Sequence, residues 1–288
     1  MRHARSIRRL ALILAHLSKG ATLALYIGLL SRLGRRPPPV AAMTRRWQRR
    51  LCEILGIRIR VYGRAQPGCL LIGNHISWLD IPVVGAQGEI AFLSKAEVRD
   101  WPLIGWLAQT AGTLFVERGA IRIDEIAGML RKIGCEQTLM LFPEGTTSDG
   151  AGVLRFHPRL FALAQETGLR IQPVAIAYRG HAEEMPDTVA PFIGDDTLLA
   201  HLLRVIRHPG LTAEVHFLPP VAIDDDNNTR RLLAERTRTA IVEALGMQPD
   251  AVPQRSPGAR PEPTPGAIAD PTPGRPESIP SGGMAHVV

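Results

Sequence analysis

Between Ile57 and Leu245 short apolar runs alternate with stretches of helical pattern. Apolar runs bounded by turn residues suit buried strands, and the patterned stretches between them suit helices. Such alternation predicts an α/β domain. Strands are expected at Arg58–Tyr62, Cys69–Gly73, Ile90–Leu93, Thr113–Val116, Thr138–Phe142, Ile171–Tyr178 and Ala213–Phe217. Helices are expected at Trp101–Ala111, Ile121–Ile133, His157–Thr167, Thr197–Ile206 and Asn228–Leu245, with one more before the first strand at Ala41–Leu55.

Ahead of this domain, Leu10 to Leu30 read LALILAHLSKGATLALYIGLL. The run is long enough to cross a hydrocarbon core of about 30 Å. His16 and the step Ser18-Lys19-Gly20 interrupt it, and a lysine near mid-bilayer is costly. Three arrangements fit: one spanning helix, a helical pair lying in one leaflet, or a cleaved signal peptide. No small-residue cleavage site precedes Arg32–Arg36 and nothing downstream looks secreted, which favours a membrane anchor. Arginines flank both ends, so the positive-inside rule gives no orientation.

The net charge of +7 is concentrated at this end; Glu53 is the only acid before Val61. A basic segment around an apolar stretch suits anionic lipid. Aromatic residues make up 5% of the chain and form no basic, base-stacking stripe, which argues against nucleic acid as a partner. Trp47 among Arg45, Arg46, Arg49 and Arg50 suits a helix at headgroup level, or a solvated basic helix held to its own domain by Leu51 and Ile54. Cys52, Cys69 and Cys135 match no disulfide or metal spacing and read as free thiols. After Met247 the chain turns Pro-rich and buries too little apolar surface to order itself. The expected organisation is therefore a membrane-associated segment (1–36), an α/β domain (37–247) and a disordered tail (248–288).

Four clusters can carry chemistry. In Asn74-His75-Ile76-Ser77-Trp78-Leu79-Asp80, the histidine stands where a buried strand ends. With His75 in the turn and Asp80 in the first turn of a following helix, the carboxylate folds back on one ring nitrogen and frees the other as a base. Alone, a pair at this spacing is more often a capping or buried histidine. The second cluster, Gly112 to Arg118, delivers Arg118 at a strand end, where its guanidinium suits a phosphate or carboxylate, or a surface pair with Glu117 or Asp124. In the third, Phe142-Pro143-Glu144-Gly145-Thr146-Thr147-Ser148, Gly145 allows close backbone approach, neighbouring amides can face an anion, and Glu144 can hold a ligand hydroxyl. An ordinary capped turn fits equally. The fourth, Ile171 to Tyr178, reads as a structural strand whose start is pinned by Pro173.

Taken in order, the clusters resemble the glycerolipid acyltransferase family. Its His-x4-Asp motif matches His75 and Asp80. Its Gly-x-x-Phe-x-x-Arg block matches Gly112, Phe115 and Arg118. Phe142 through Thr146 match its Phe-Pro-Glu-Gly-Thr block, and Pro173 and Val174 its Pro-containing block. Lys95-Ala96-Glu97 and Pro102 to Gly105 look like the family's linker between the first two blocks. The resemblance covers Arg45 to Phe217.

It implies one acyltransferase domain with a mixed central sheet flanked by helices, and N-terminal helices in the membrane. His75 and Asp80 would be catalytic, with His75 the general base, and Arg118, Glu144, Gly145, Thr146 and Lys95 would bind substrate. Backbone amides near Gly145 would support the oxyanion. No metal or cofactor is implied, and the acyl donor would be acyl-CoA or acyl carrier protein. The leading acceptor is 1-acylglycerol-3-phosphate, giving phosphatidic acid at the cytoplasmic face of a bacterial inner membrane. One departure weakens that choice. Phosphatidate-forming members usually carry Arg after Glu-Gly-Thr, and here the residue is Thr147. That form, followed by Phe156-His157-Pro158-Arg159, resembles the branch acylating lyso-ornithine lipid, although Arg159 or Lys95 could replace the missing arginine. An acyl thioesterase and a non-catalytic membrane-binding protein are the alternatives of other classes.

Overall fold

The computed structural model describes residues 2–116, 123–133, 138–180, 186–221 and 229–248. Arg118, Glu117, Cys135 and the Pro-rich tail lie outside them. Seven strands form one sheet: β1 (Ile57–Tyr62), β2 (Cys69–Gly73), β3 (Ile90–Lys95), β4 (Leu114–Val116), β5 (Thr138–Leu141), β6 (Arg170–Arg179) and β7 (Leu211–Phe217). Their spatial order is β1-β7-β6-β2-β5-β3-β4. The pairs from β6 through β4 are parallel, whereas β7 runs antiparallel to β6 and carries β1 parallel to itself. The sheet is mixed, as the resemblance implied.

Strand alternation sends the core to both faces. Leu71, Met140, Val174 and Ile176 point one way, against α2 (Val40–Leu55), α3 (Asp80–Gly85) and α7 (Leu198–Arg207). Leu70, Ile72, Leu139, Leu141 and Ala175 point the other way, against α5 (Ile123–Ile133), α6 (Ala162–Thr167) and α8 (Arg230–Ala244). A strand buried on both faces reads as a continuous apolar run, which is why β2 and β5 were visible in sequence.

The apolar N-terminal run belongs to one uninterrupted helix, α1 (Arg2–Arg32). The break admitted at Ser18-Lys19-Gly20 does not form. Ser18 bonds within the helix to the Leu14 carbonyl, Lys19 is exposed, and Gly20 is buried beside the Trp47 indole of α2. Arg9, Ile13, His16, Gly20 and Ala24 recur at helical spacing and face the protein. The Arg9 guanidinium donates to the carbonyls of Ile206, His208 and Pro209 at the end of α7, where those groups lack helical partners. His16 stacks on Trp47 at 4.4 Å.

Three local expectations are corrected. Pro173 lies inside β6, not at its start. Its carbonyl faces β7 and accepts from the Leu218 amide, so its nitrogen also faces that side, beyond the last β6–β7 pair, Val174–Phe217, where no donor is needed. The helix expected from Trp101 begins only at Ile104, as α4 (Ile104–Thr110). The helix expected from His157 is split into a 3₁₀ turn at Pro158–Phe161 and α6.

Candidate active site

Parallel strands bring β2, β5, β3 and β4 to the same carboxyl-terminal edge of the sheet, the usual place for ligand sites in open α/β sheets. His75 follows β2, Glu144 follows β5, and Lys95 ends β3. Arg118 follows β4 in sequence, outside the described residues.

β2 ends at Gly73, and the side chain of Asn74 then stitches the loop to β6. It donates to the Ile176 carbonyl at 2.9 Å and accepts the Ile176 amide at 2.8 Å. The loop turns back at Ser77, so Asp80 opens α3 beneath His75. Its Oδ2 accepts from His75 Nδ1 at 2.7 Å and from the amides of Ile76 and Ser77 at 2.8 and 3.0 Å. Oδ1 accepts from the Tyr178 hydroxyl at 2.7 Å. Asp80 is wholly buried while the His75 side chain keeps 19% of its surface exposed. The Asp80 carboxylate fixes the imidazole tautomer, so the proton sits on Nδ1 and Nε2 is the basic nitrogen. The ring also stacks on Phe142, centroids 4.1 Å apart.

Glu144 lies beneath the histidine. Its Oε1 accepts the His75 amide at 3.2 Å, and the residue is buried. Burial pushes its carboxyl well above the usual carboxylate range, the His75 amide opposes that, and the Asp80 charge adds to it. Sequence suggested a ligand-holding acid; the structure places Glu144 behind the base, supporting its backbone. Gly145 and Thr146 come to the surface instead. Gly145 adopts φ 68°, and a Cβ there would crowd the His157 ring at 3.2 Å. Its amide donates to the Phe142 carbonyl, and that of Ser148 to the His75 carbonyl, so neither faces an oxyanion.

Thr147 points inward. It is buried, and its hydroxyl donates to the Phe192 carbonyl. The Phe192 amide donates to the Ile76 carbonyl at 3.0 Å. Preceding Phe192, the Pro191 carbonyl accepts from His201 Nε2 at 3.0 Å, and His201 Nδ1 accepts from the Trp78 indole at 2.9 Å. The segment before α7 thus clamps the loops after β2 and β5 together. Sequence reading missed this clamp and Tyr178. Nothing local marks either; Tyr178 reaches Asp80 only because β6 lies in register beside β2. A cleft of about 200 Å³ opens nearby, lined among others by Ile76, Asp149, Tyr178, Arg179 and Asp187.

A family model described as Acyltransferase matches residues 58–177. A lyso-ornithine lipid O-acyltransferase of Pseudomonas aeruginosa is 42% identical over 253 residues, covering 85% of this chain and 95% of that protein. A 1-acyl-sn-glycerol-3-phosphate acyltransferase of Neisseria gonorrhoeae is 35% identical over 54% of this chain and 63% of its own length. The crystal structure of the 1-acyl-sn-glycerophosphate acyltransferase of Thermotoga maritima shares the fold, with a TM-score of 0.56 at 22% identity over 86% of this chain and 99% of that one. The chain belongs to the glycerolipid acyltransferase family and is an acyltransferase acting on lysolipids.

Proposed function

We propose that the protein transfers a fatty acyl group from acyl-CoA or acyl carrier protein to the hydroxyl of lyso-ornithine lipid, at the cytoplasmic face of a bacterial inner membrane. The observation that carries the chemistry is the buried Asp80 on His75 Nδ1, with Nε2 left as base. His75 Nε2 takes the proton of the acceptor hydroxyl as its oxygen attacks the thioester carbonyl. The carbon–oxygen bond forms, the carbon–sulfur bond breaks, and the proton leaves with the thiolate as a thiol. Asp80 stabilises the imidazolium between those steps, and Tyr178 and Glu144 hold Asp80 and the His75 backbone in place. No cofactor is needed. Lys95, Gly145 and Thr146 serve the acceptor or donor at the same edge of the sheet, and Arg118, by its motif, serves them too.

Two observations favour this acceptor over 1-acylglycerol-3-phosphate, the leading choice from sequence. Thr147 replaces the arginine usual in phosphatidate-forming members and is tied inward to Phe192, so it offers no bidentate phosphate partner. The relative from Pseudomonas aeruginosa, matched along most of both chains, acts on lyso-ornithine lipid. Membrane association is supported by α1, which is long and apolar enough to cross a bilayer, and by the lipid-modifying relatives.

The test is an acceptor panel with mass detection of products, using full-length protein, acyl-CoA and acyl carrier protein donors, and both lysolipids. Ornithine lipid as the dominant product is expected. Phosphatidic acid with lyso-ornithine lipid inert would overturn the acceptor, and thioester loss without any acylated lipid would indicate a thioesterase.

A further inference from the structure

Among the described residues Leu103 is the one non-glycine with positive φ, at 62°. With ψ at −50° and the Ile104 amide donating to the Pro102 carbonyl at 2.7 Å, it sits at the centre of a γ-turn of the rare, strained hand. Such a conformation is costly for a bulky residue and persists only where the surroundings hold it. The chain here is pressed tightly onto its preceding turn: a Cβ at Gly105 would overlap the Arg99 carbonyl oxygen. Trp101, Leu103 and Trp106 around this turn are each 37% exposed.

Location gives the feature its meaning. β3 ends with Lys95 at the catalytic edge, a 3₁₀ turn covers Ala96–Asp100, and the knob follows directly. α4 then packs on α1, where Leu107 lies beside Gly20. The outer stripe of α1 is also apolar and exposed, including Ile7, Leu10, Leu14, Leu25 and Leu29. Arg99, exposed beside the knob, sits over the Phe115 ring at 5.1 Å. Two tryptophans and a leucine, with Arg99 and Asp100 at their rim and α4 packed on an apolar helix, have the composition of a bilayer interface.

We propose that Trp101, Leu103 and Trp106 form a rigid lipid-contact knob that seats the catalytic edge at the headgroup–acyl boundary of a bilayer. The inference rests on the membrane reading of the function above. It assigns a second point of contact, distinct from α1, that fixes how the site faces the lipid.

Full-length protein is bound to vesicles of phosphatidylethanolamine and phosphatidylglycerol, with and without brominated acyl chains. Wild type is compared with a Trp101→Phe, Trp106→Phe double variant. The emission lost in the double variant is expected to be the part that bromolipid quenches and that the membrane shields from aqueous iodide. If that emission stays open to iodide and untouched by bromine on bound vesicles, the knob does not meet lipid. Shielding produced by acyl carrier protein in the absence of vesicles would assign the surface to the donor protein and overturn the proposal too. This readout needs no turnover, so it is separable from the choice of acceptor. Leu103→Gly supplies the functional arm, because glycine accepts the same turn without strain. Acyl transfer to lysolipid in vesicles should fall about tenfold, as expected from losing one anchoring side chain, while transfer in detergent micelles is unchanged. Equal loss in both, or loss in neither, contradicts the knob's role.

Discussion

Asp80 shows how much of one residue's chemistry is set by residues far away in sequence. Its two oxygens are held by His75, two loop amides and the Tyr178 hydroxyl, which is 98 positions away. Burial and the Asp80 charge push the Tyr178 hydroxyl well above its usual range, so it stays a donor at any working pH. Hydrogen bonds to charged groups are worth about 1.5–3 kcal/mol, so Tyr178→Phe should lower kcat by roughly tenfold or more with KM little changed. Steady-state kinetics on vesicle-borne substrate checks this, and a change confined to KM would place Tyr178 in the acceptor site instead. Asp80→Asn should cost far more, since it removes the charge that stabilises the imidazolium; loss of activity to near background is expected under the same assay. Glu144 makes a prediction of stability. Its folded carboxyl keeps its proton where an unfolded one, with pKa about 4.3, has lost it. The folded state therefore binds more protons above that pH, and stability falls as pH rises. In Glu144→Gln that loss is absent, so the variant should gain on wild type between about pH 4 and pH 7 in denaturant midpoints. A gap that does not change with pH would mean an ionised Glu144 in the fold. At this scale the sequence displayed His75, Asp80 and Glu144 as residue types after strands. It could not display Tyr178 or the contact of Glu144 with the His75 backbone, because both depend on which strand lies next to which.

Among elements, the segment leading into α7 has the widest reach. Phe192 joins the loops after β2 and β5, and His201 on α7 holds the preceding carbonyl. Accepting from the Trp78 indole at Nδ1 requires a neutral imidazole, and burial accordingly lowers the His201 pKa, helped by nearby Arg204 and opposed by Asp196. The unfolded histidine takes a proton below about pH 6.5 while the folded one resists, so stability falls as pH drops through that range. His201→Gln keeps the Nε2 donor but does not titrate, and should flatten that acid-side loss in thermal melts. Thr147→Val, which keeps shape and removes the donor to Phe192, should lower kcat several-fold without changing which lysolipid is used, since a hydrogen bond of this kind is worth about 1 kcal/mol. Comparing product ratios in the acceptor panel tests the second half of that statement. Elements were legible where their pattern was pure, as in β2, β5 and β7. They were misread where a proline or a strained turn decided the boundary. The γ-turn at Leu103 delayed α4, and Pro173 lay inside a central strand because β7 had already ended beside it.

For the whole molecule, the instructive disagreement is at the N-terminus. Composition made Leu10–Leu30 an anchor that either crosses or rests in one leaflet, and interruptions at His16 and Lys19 argued for a break. The helix is continuous because those residues have separate destinations: His16 stacks on Trp47 and Lys19 faces outward. A hydropathy pattern records how apolar a helix is but not that a buried arginine fastens it to another helix. Replacing Arg9 with Ala should cost about 2 kcal/mol, the worth of charged hydrogen bonds to otherwise unpaired terminal carbonyls, and lower the melting temperature accordingly.

That fastening bears on how the protein can be handled. An apolar leading helix invites removal to obtain a soluble enzyme. Here a shortened chain starting at Val40 would strip Arg9 from the last carbonyls of α7, the helix whose His201 supports the clamp over the catalytic loops. Solubility gained by trimming would be taken from the rigidity of the base, and a shortened enzyme that proved inactive would say nothing against His75.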